Sequence, residues 1–247
     1  MIRSLLSHII DLIYPPRCFA CTEFLWDREA FVNGRRLYFC KPCLSSFPVL
    51  ESPFCLVCCK PLEGTGPGRL CKDCSRHPPE FDLLVSPYLY EPPVVDCIYQ
   101  LKYTPKPHVG KSLGVLLGAF ALEVLGGIDD PVLLPVPLHK KRLRQRGFNQ
   151  SLILAKEAAK TIRGELDFTS LQRTRFTSPQ VDLQKKERIR NVKGAFGLSS
   201  PEKFQGRQVI LVDDVATTGS TLNECARVLK KAGAQEVVAL VLARAVI

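Results

Sequence analysis

The run Val209-Ile210-Leu211-Val212-Asp213-Asp214-Val215-Ala216-Thr217-Thr218-Gly219-Ser220-Thr221 ends an apolar stretch in two adjacent carboxylates. Four hydroxylated side chains around one glycine follow. The two halves suit different parts of one ligand. Ionised carboxylates accept hydrogen bonds from vicinal hydroxyls, as on a sugar, and repel phosphate. A turn of hydroxyls and backbone N–H groups at a helix start attracts phosphate, and the helix dipole adds to the attraction. A ribose 5-phosphate satisfies both halves, with its diol on Asp213 and Asp214 and its phosphate in the loop Ala216, Thr217, Thr218, Gly219, Ser220 and Thr221. There Gly219 is expected to permit close backbone approach. A plain strand-to-helix turn needs one capping hydroxyl and leaves the acid pair unexplained. The chain has neither a G-x-x-x-x-G-K-[ST] nor a G-x-G-x-x-G motif, so the Walker and dinucleotide readings fail.

A second chemistry is carried by sulfur. Nine of the eleven cysteines lie between residues 18 and 74, and eight make four C-x-x-C turns: Cys18/Cys21, Cys40/Cys43, Cys55/Cys58 and Cys71/Cys74. A two-residue gap lets both thiolates of a turn meet one ion, and two turns complete the tetrahedral all-sulfur site of structural zinc. Sequential pairing is the simplest arrangement, with crossed or nested pairing open. Cys59 is a swapped ligand or a bystander, and Cys97 and Cys225 read as buried core thiols. The region is rich in Pro and Gly, so metal ligation is expected to supply much of its folding free energy. A thioredoxin-like redox motif would need a βαβ surround, which these turns lack.

Positive charge is concentrated. Residues 139–163 hold eight Lys/Arg against one acid, and residues 170–193 hold seven against two, within a chain of net charge +10. Such clustering points to a polyanionic ligand: phosphate, nucleic acid or both.

These groups need a frame. The first sixteen residues, with Leu5, Leu6, Ile9, Ile10 and Ile13 at helical spacing, read as an amphipathic helix docked on the body rather than a membrane anchor, ended by Pro15-Pro16. No signal peptide is expected there, and no apolar run is expected to span a bilayer. Residues 17–78 form the cysteine module and 79–247 the remainder. In that remainder LLVSPYLY reads as a strand and VVDCIYQLKY as a strand or helix. Helices are expected over 111–125, 148–163 and 220–231, with strands over 132–136, 208–213 and 236–242. This alternation gives a parallel α/β sheet, whose ligands sit at the carboxyl ends of the strands. There VLLPV opens into the basic loop PLHKKRLRQRG, and VILV opens into DDVATTGST, on one edge.

The acid-pair segment resembles the PRPP-binding signature of type I phosphoribosyltransferases. Together with the four C-x-x-C turns, PVPLHKKRLRQRGFNQSLILA and LQRTRFTSPQVDLQKKERIRNVKGAF, it resembles the ComF/GntX family over nearly the whole chain. The resemblance implies a double zinc ribbon followed by a phosphoribosyltransferase-like domain, and a part in natural transformation, where incoming single-stranded DNA is handled. It matches Asp213 and Asp214 to the ribose-binding acids and Ala216–Thr221 to the phosphate loop. Leu138 and His139, after Pro137, match the pyrophosphate-binding position. Arg173 to Asn191 match the mobile loop, in which Thr177, Gln180, Arg188 and Asn191 follow the family pattern.

If the chain is a transferase, a nucleophile displaces pyrophosphate from C1 of PRPP. Arg144, Arg146 and Arg188 are then the candidates, with Mg2+, for charge on the leaving group. His139 reads as a loop residue rather than a general base. The competing reading is a nucleic-acid module whose groove binds sugar-phosphate backbone, with Tyr88, Tyr90, Tyr99, Tyr103 and Phe148 as stacking surfaces. A third reading is a PRPP sensor. Expected partners are PRPP or ribose phosphate, single-stranded nucleic acid, the competence machinery and a peripheral membrane contact. The thiolate sites point to the cytoplasm, with the inner membrane face open.

Overall fold

The computed structural model describes residues 15–26, 29–65, 68–103, 107–177 and 185–246. The proposed N-terminal helix and Gln180 lie outside them. The frame is a six-stranded sheet. Its elements are β3 (Leu83–Val85), β4 (Tyr88–Leu89), β5 (Val132–Pro135), β6 (Glu165–Leu166), β9 (Gln208–Ala216) and β10 (Glu236–Arg244). The order is β3-β10-β9-β5-β6, every pair is parallel, and β4 continues beside β10 beyond β3.

The longest strands, β9 and β10, are apolar on both faces because both faces are covered. Ile210, Val212, Val238, Leu240 and Leu242 enter one core, while Val209, Leu211, Val237, Ala239 and Val241 enter the other. The first core is roofed by α3 (Val94–Tyr103), α4 (Pro107–Leu125) and α6 (Gln150–Ile162). VVDCIYQLKY is therefore the helix α3, with Val94, Cys97, Ile98 and Leu101 inward. The second core is covered by α8 (Ser220–Lys231).

By length and composition α4 could cross a membrane, against the sequence expectation that nothing in the chain could. In this fold it is a core helix lying on α6. Gly110, Gly114 and Gly118 form the contact, where an added Cβ would come within 2.7–2.8 Å of Ile153, Glu157 and Thr161. Backbones that close leave no room for side chains between them.

The segment PLHKKRLRQRG, read as a loop, instead holds the helix α5 (Lys140–Arg146). Lysine and arginine are good helix formers. His139 caps the start, its Nδ1 accepting from Lys141 N, and Gly147 ends it at φ 82. The expected helix from Phe148 begins only at Gln150, where Asn149 caps it.

The two cysteine ribbons lie on opposite faces of the sheet. The first contains β1 (Glu29–Val32), β2 (Arg35–Cys40) and α1 (Lys41–Ser45), and it puts Cys18, Leu25, Phe39 and Phe47 into the first core. Arg35 is ion-paired with the buried Glu157 of α6, and Tyr38 N donates to Ser112 Oγ of α4 at 3.1 Å. The second ribbon, ending in α2 (Lys72–Arg76), lends Cys59 to the second core, packed by Phe54 and Val57. Cys59 is a buried bystander, and Cys97 and Cys225 are fully buried as expected.

An antiparallel pair, β7 (Leu171–Arg173) and β8 (Phe196–Leu198), brackets the segment between them, which contains α7 (Lys185–Val192).

Candidate functional site

The carboxyl ends of β5 and β9 open into a cavity of about 620 Å³. Its floor is Asp213 and Asp214. Pro137 and Leu138 after β5, Arg142 and Arg146 of α5, Arg173 of β7, and Thr217 and Thr221 contribute to its walls. Lys102 and Tyr103 of α3 line it as well.

The acids differ in their surroundings. Asp213 Oδ1 accepts from Ser151 Oγ at 2.8 Å and from Asp214 N at 2.9 Å. Burial and then the charge of Asp214 push the Asp213 carboxyl up to about 8. Asp214, 5% exposed, accepts from Gln150 Nε2 at 3.4 Å and is ion-paired with Lys102. Burial opposes ionisation of Asp214, but Lys102, together with hydrogen bonds from Asp213 and Gln150, holds the carboxyl below its ordinary value. Arg146 Nη1 donates to Gln150 Oε1 at 2.7 Å, which links the basic helix through Gln150 to the acid. Asn149 ties the same helix start to the sheet, with Nδ2 donating to Val136 O at 3.1 Å.

The rest of the wall is cationic. Arg142 and Arg146 are one helical turn apart and face the cavity together, whereas Arg144 points elsewhere and is not part of its lining. Arg173 is held by Thr177 Oγ1, and its Nε is buried without a hydrogen-bond partner among the described residues. Burial, and then Arg142, bring its pKa below the ordinary guanidinium value. Cations crowded at low exposure repel one another unless an anion joins them.

The turn Thr217–Gly219 joins β9 to α8. Gly219 sits at φ 74, and the nearest atoms to an added Cβ belong to Phe81 at 3.7 Å. The left-handed backbone, not crowding, is what requires glycine here. Thr218 Oγ1 and Ser220 Oγ are 2.7 Å apart. Thr217 lines both this cavity and a second one of about 490 Å³ behind the turn, while Thr218, Gly219 and Ser220 line only the second. Ala216 ends β9, and His139 spends its ring nitrogen as the α5 cap. Arg188 lies in α7, but its side chain is outside the described part of the structure.

Lys102, Arg142, Gln150, Ser151 and Arg173 were not singled out individually from sequence. Gln150 and Ser151 carried a signal, as polar residues opening a helix otherwise buried through Leu154, Ala155 and Ala158. Lys102 carried none.

The cysteines form two tetrads, Cys18/Cys21/Cys40/Cys43 and Cys55/Cys58/Cys71/Cys74, with the ligand atoms of each within 4.8 Å of one another. Sequential pairing is the arrangement found. Zinc–sulfur bonds of about 2.3 Å give a tetrahedral edge near 3.8 Å. Cys21 and Cys40, and likewise Cys58 and Cys71, have sulfurs 3.8 Å apart. Backbone N–H groups of Cys40 and Cys71 donate to Cys18 and Cys55 sulfurs at 3.4 and 3.3 Å. Burial and neighbouring sulfurs push the Cys43 and Cys74 thiols up, as expected where a cation is needed to let four thiolates coexist. The donor set fits structural zinc.

Residues 149–245 match the family model described as "Phosphoribosyl transferase domain", and residues 9–75 match "Double zinc ribbon domain". The chain is 38% identical over 173 residues to "DNA utilization protein YhgH" of Escherichia coli (strain K12), covering 68% of this chain and 74% of that one. It is 33% identical to "Competence protein F" of Haemophilus influenzae, covering 71% and 78%, and 26% identical to "Competence protein ComFC" of Bacillus subtilis, covering 87% and 89%.

Proposed function

The chain belongs to the ComF/GntX family, and from that premise we propose that it binds PRPP or a ribose 5-phosphate end and acts in handling single-stranded DNA. The observation that carries the ligand is the meeting, in one cavity, of the Asp213/Asp214 pair with Thr217, Thr221 and the cations Arg142, Arg146 and Arg173. The acids accept the diol. The turn, beside the dipole at the start of α8, takes the 5-phosphate. The cationic wall, with the unpartnered Arg173 Nε, takes pyrophosphate or the next phosphate of a strand. Mg2+ enters with PRPP as part of that ligand.

The DNA part draws on the names of the relatives and on α5, whose Lys140, Lys141 and Arg144 are exposed. The thiolate tetrads favour a reducing compartment such as the cytoplasm.

Transferase action is the second reading, favoured by one feature: Tyr90, Glu91 and Tyr103 line the same cavity as the acids and offer a surface for an acceptor. The chain's own part would be to hold the sugar on Asp213 and Asp214 and to stabilise the leaving pyrophosphate with Arg142, Arg146 and Arg173.

Calorimetric titration with ribose 5-phosphate and with PRPP-Mg2+ tests the ligand. Binding that disappears in Asp213→Asn/Asp214→Asn is expected. A folded wild-type protein that ignores both compounds would falsify the reading. Pyrophosphate release from PRPP in the presence of cell extract separates the transferase from the binding module.

A further inference from the structure

Arg244, the last residue of β10, is 6% exposed, and its Nε and Nη1 donate to backbone carbonyls. Nε donates to Cys58 O at 2.9 Å. Nη1 donates to Ala216 O at 2.8 Å, to Ala245 O at 2.8 Å and to Thr217 O. Among the described residues no carboxylate is ion-paired with it. One side chain thus joins a cysteine of the second tetrad to Ala216 and to Thr217, the first residue of the proposed phosphate turn.

That junction has a directional consequence. Every described peptide bond in this stretch is trans, and in a trans peptide the C=O and N–H point in opposite directions. Holding the oxygens of Ala216 and Thr217 on the guanidinium turns the N–H groups of Thr217 and Thr218 away from it. These are donors of the kind a phosphate cradle uses. A second effect is electrostatic. The buried guanidinium behind the turn favours an anion in front of it, an attraction that the thiolates of the neighbouring tetrad offset in part. Only arginine among the side chains supplies donors in a planar fork that can hold several carbonyls at once; lysine offers three from a single nitrogen.

We infer that Arg244 is the positioning residue of the phosphate turn, and that through Cys58 it couples metal occupancy of the Cys55/Cys58/Cys71/Cys74 tetrad to anion binding. This rests on the reading of Thr217–Thr221 as a phosphate site. With the second tetrad metal-free, the Cys58 carbonyl loses its fixed place and the guanidinium loses one of its anchors. The phosphate turn would then be set less firmly, although its residues touch no metal.

The test compares zinc-loaded full-length protein with Arg244→Met and Arg244→Lys, using ribose 5-phosphate as the calorimetric probe. Zinc content and thermal melting are recorded on each sample. Both variants are expected to keep the zinc of both tetrads and to bind ribose 5-phosphate roughly tenfold or more weakly, the effect of losing charge-assisted hydrogen bonds. The Thr217 and Thr218 amides should exchange faster with solvent. If Arg244→Met does not fold, Arg244→Lys, which keeps the charge and loses the fork, carries the comparison. In a third arm, Cys55→Ser/Cys58→Ser should lose one metal site and weaken the probe similarly. Wild-type protein that does not bind the probe removes the phosphate reading itself. Wild-type binding that persists unchanged in folded Arg244 variants overturns the clamp and leaves that reading standing.

Discussion

Lys102, near the end of α3, is ion-paired with Asp214, at the carboxyl end of β9. The helix follows the edge strands β3 and β4, far upstream of β9, so a residue outside the acid-pair signature sets the charge state of that signature. Lys102 keeps Asp214 ionised in a place where burial alone would neutralise it.

Lys102→Met should therefore destabilise the fold. Removing one partner leaves a buried carboxylate unpaired, at a cost of about 2 kcal/mol or more at neutral pH. The depressed folded-state pKa of Asp214 contributes stability above the unfolded carboxylate range, and that stability is lost as pH falls through the folded value. The difference between wild type and variant should thus shrink on acidification. Urea titrations at about pH 7 and about pH 2, below the ordinary carboxylate range, would show this; a gap that is the same at both would mean that the pair is not the source.

Asp213 carries the opposite sign. Its folded carboxyl, raised to about 8 by burial and then by Asp214, holds a proton that the unfolded chain has already released. Stability falls as pH rises between those two values, because the native state binds more protons there. Asp213→Asn keeps an oxygen to accept from Ser151 and Asp214 N, and removes the titration. The variant should gain on wild type by about 1 kcal/mol between roughly pH 5 and pH 8, while losing ribose 5-phosphate binding. Thermal melts across that range, with calorimetry beside them, read both effects.

The sheet and its ligand edge were legible because β9 and β10 are buried on both faces and so print continuous apolar runs. The tetrads were legible because four C-x-x-C turns have few other uses. Two features were hidden by their own chemistry. The helix α5 reads as a charged loop because it buries nothing, so no apolar period marks it. Lys102 and Arg244 act through long-range contacts, on an acid and on carbonyls that only the fold brings near them. A spacing rule can find ligands on one turn or one helix face. It cannot find a cation on one element that completes a site on another. The split of the ribbons to opposite faces was hidden for the same reason, since adjacent cysteine pairs give no sign that a sheet edge runs between them.

Metal removal should act on the whole molecule. Each ribbon contributes to a different core of the sheet, so neither can unfold without exposing apolar surface on the larger body. Cys43→Ser and Cys74→Ser should each lower the zinc content by one site, since the two tetrads share no ligand. Each should lower the melting temperature by about 5 °C or more, the shift for a loss of about 2 kcal/mol in a chain of this size. Elemental analysis beside calorimetric melting measures both. A variant that keeps its full zinc content would show that the substituted cysteine is not a ligand.

The exposed cations of α5 should govern nucleic-acid affinity without touching the sugar site. Lys140, Lys141 and Arg144 are exposed, and Arg144 stands off the cavity lining. Binding to phosphates releases condensed counterions, so the logarithm of affinity falls linearly with the logarithm of salt, with a slope of about −0.7 per phosphate contact on single strands. Replacing these three residues by Gln should therefore flatten the slope for an oligothymidine by up to roughly two units, if each makes one contact. Ribose 5-phosphate binding should stay within about twofold, because Arg142 and Arg146 keep their places on the inner face of the helix. Fluorescence anisotropy across a salt series measures the slope. A slope unchanged by the triple substitution would assign the strand to another face of the protein.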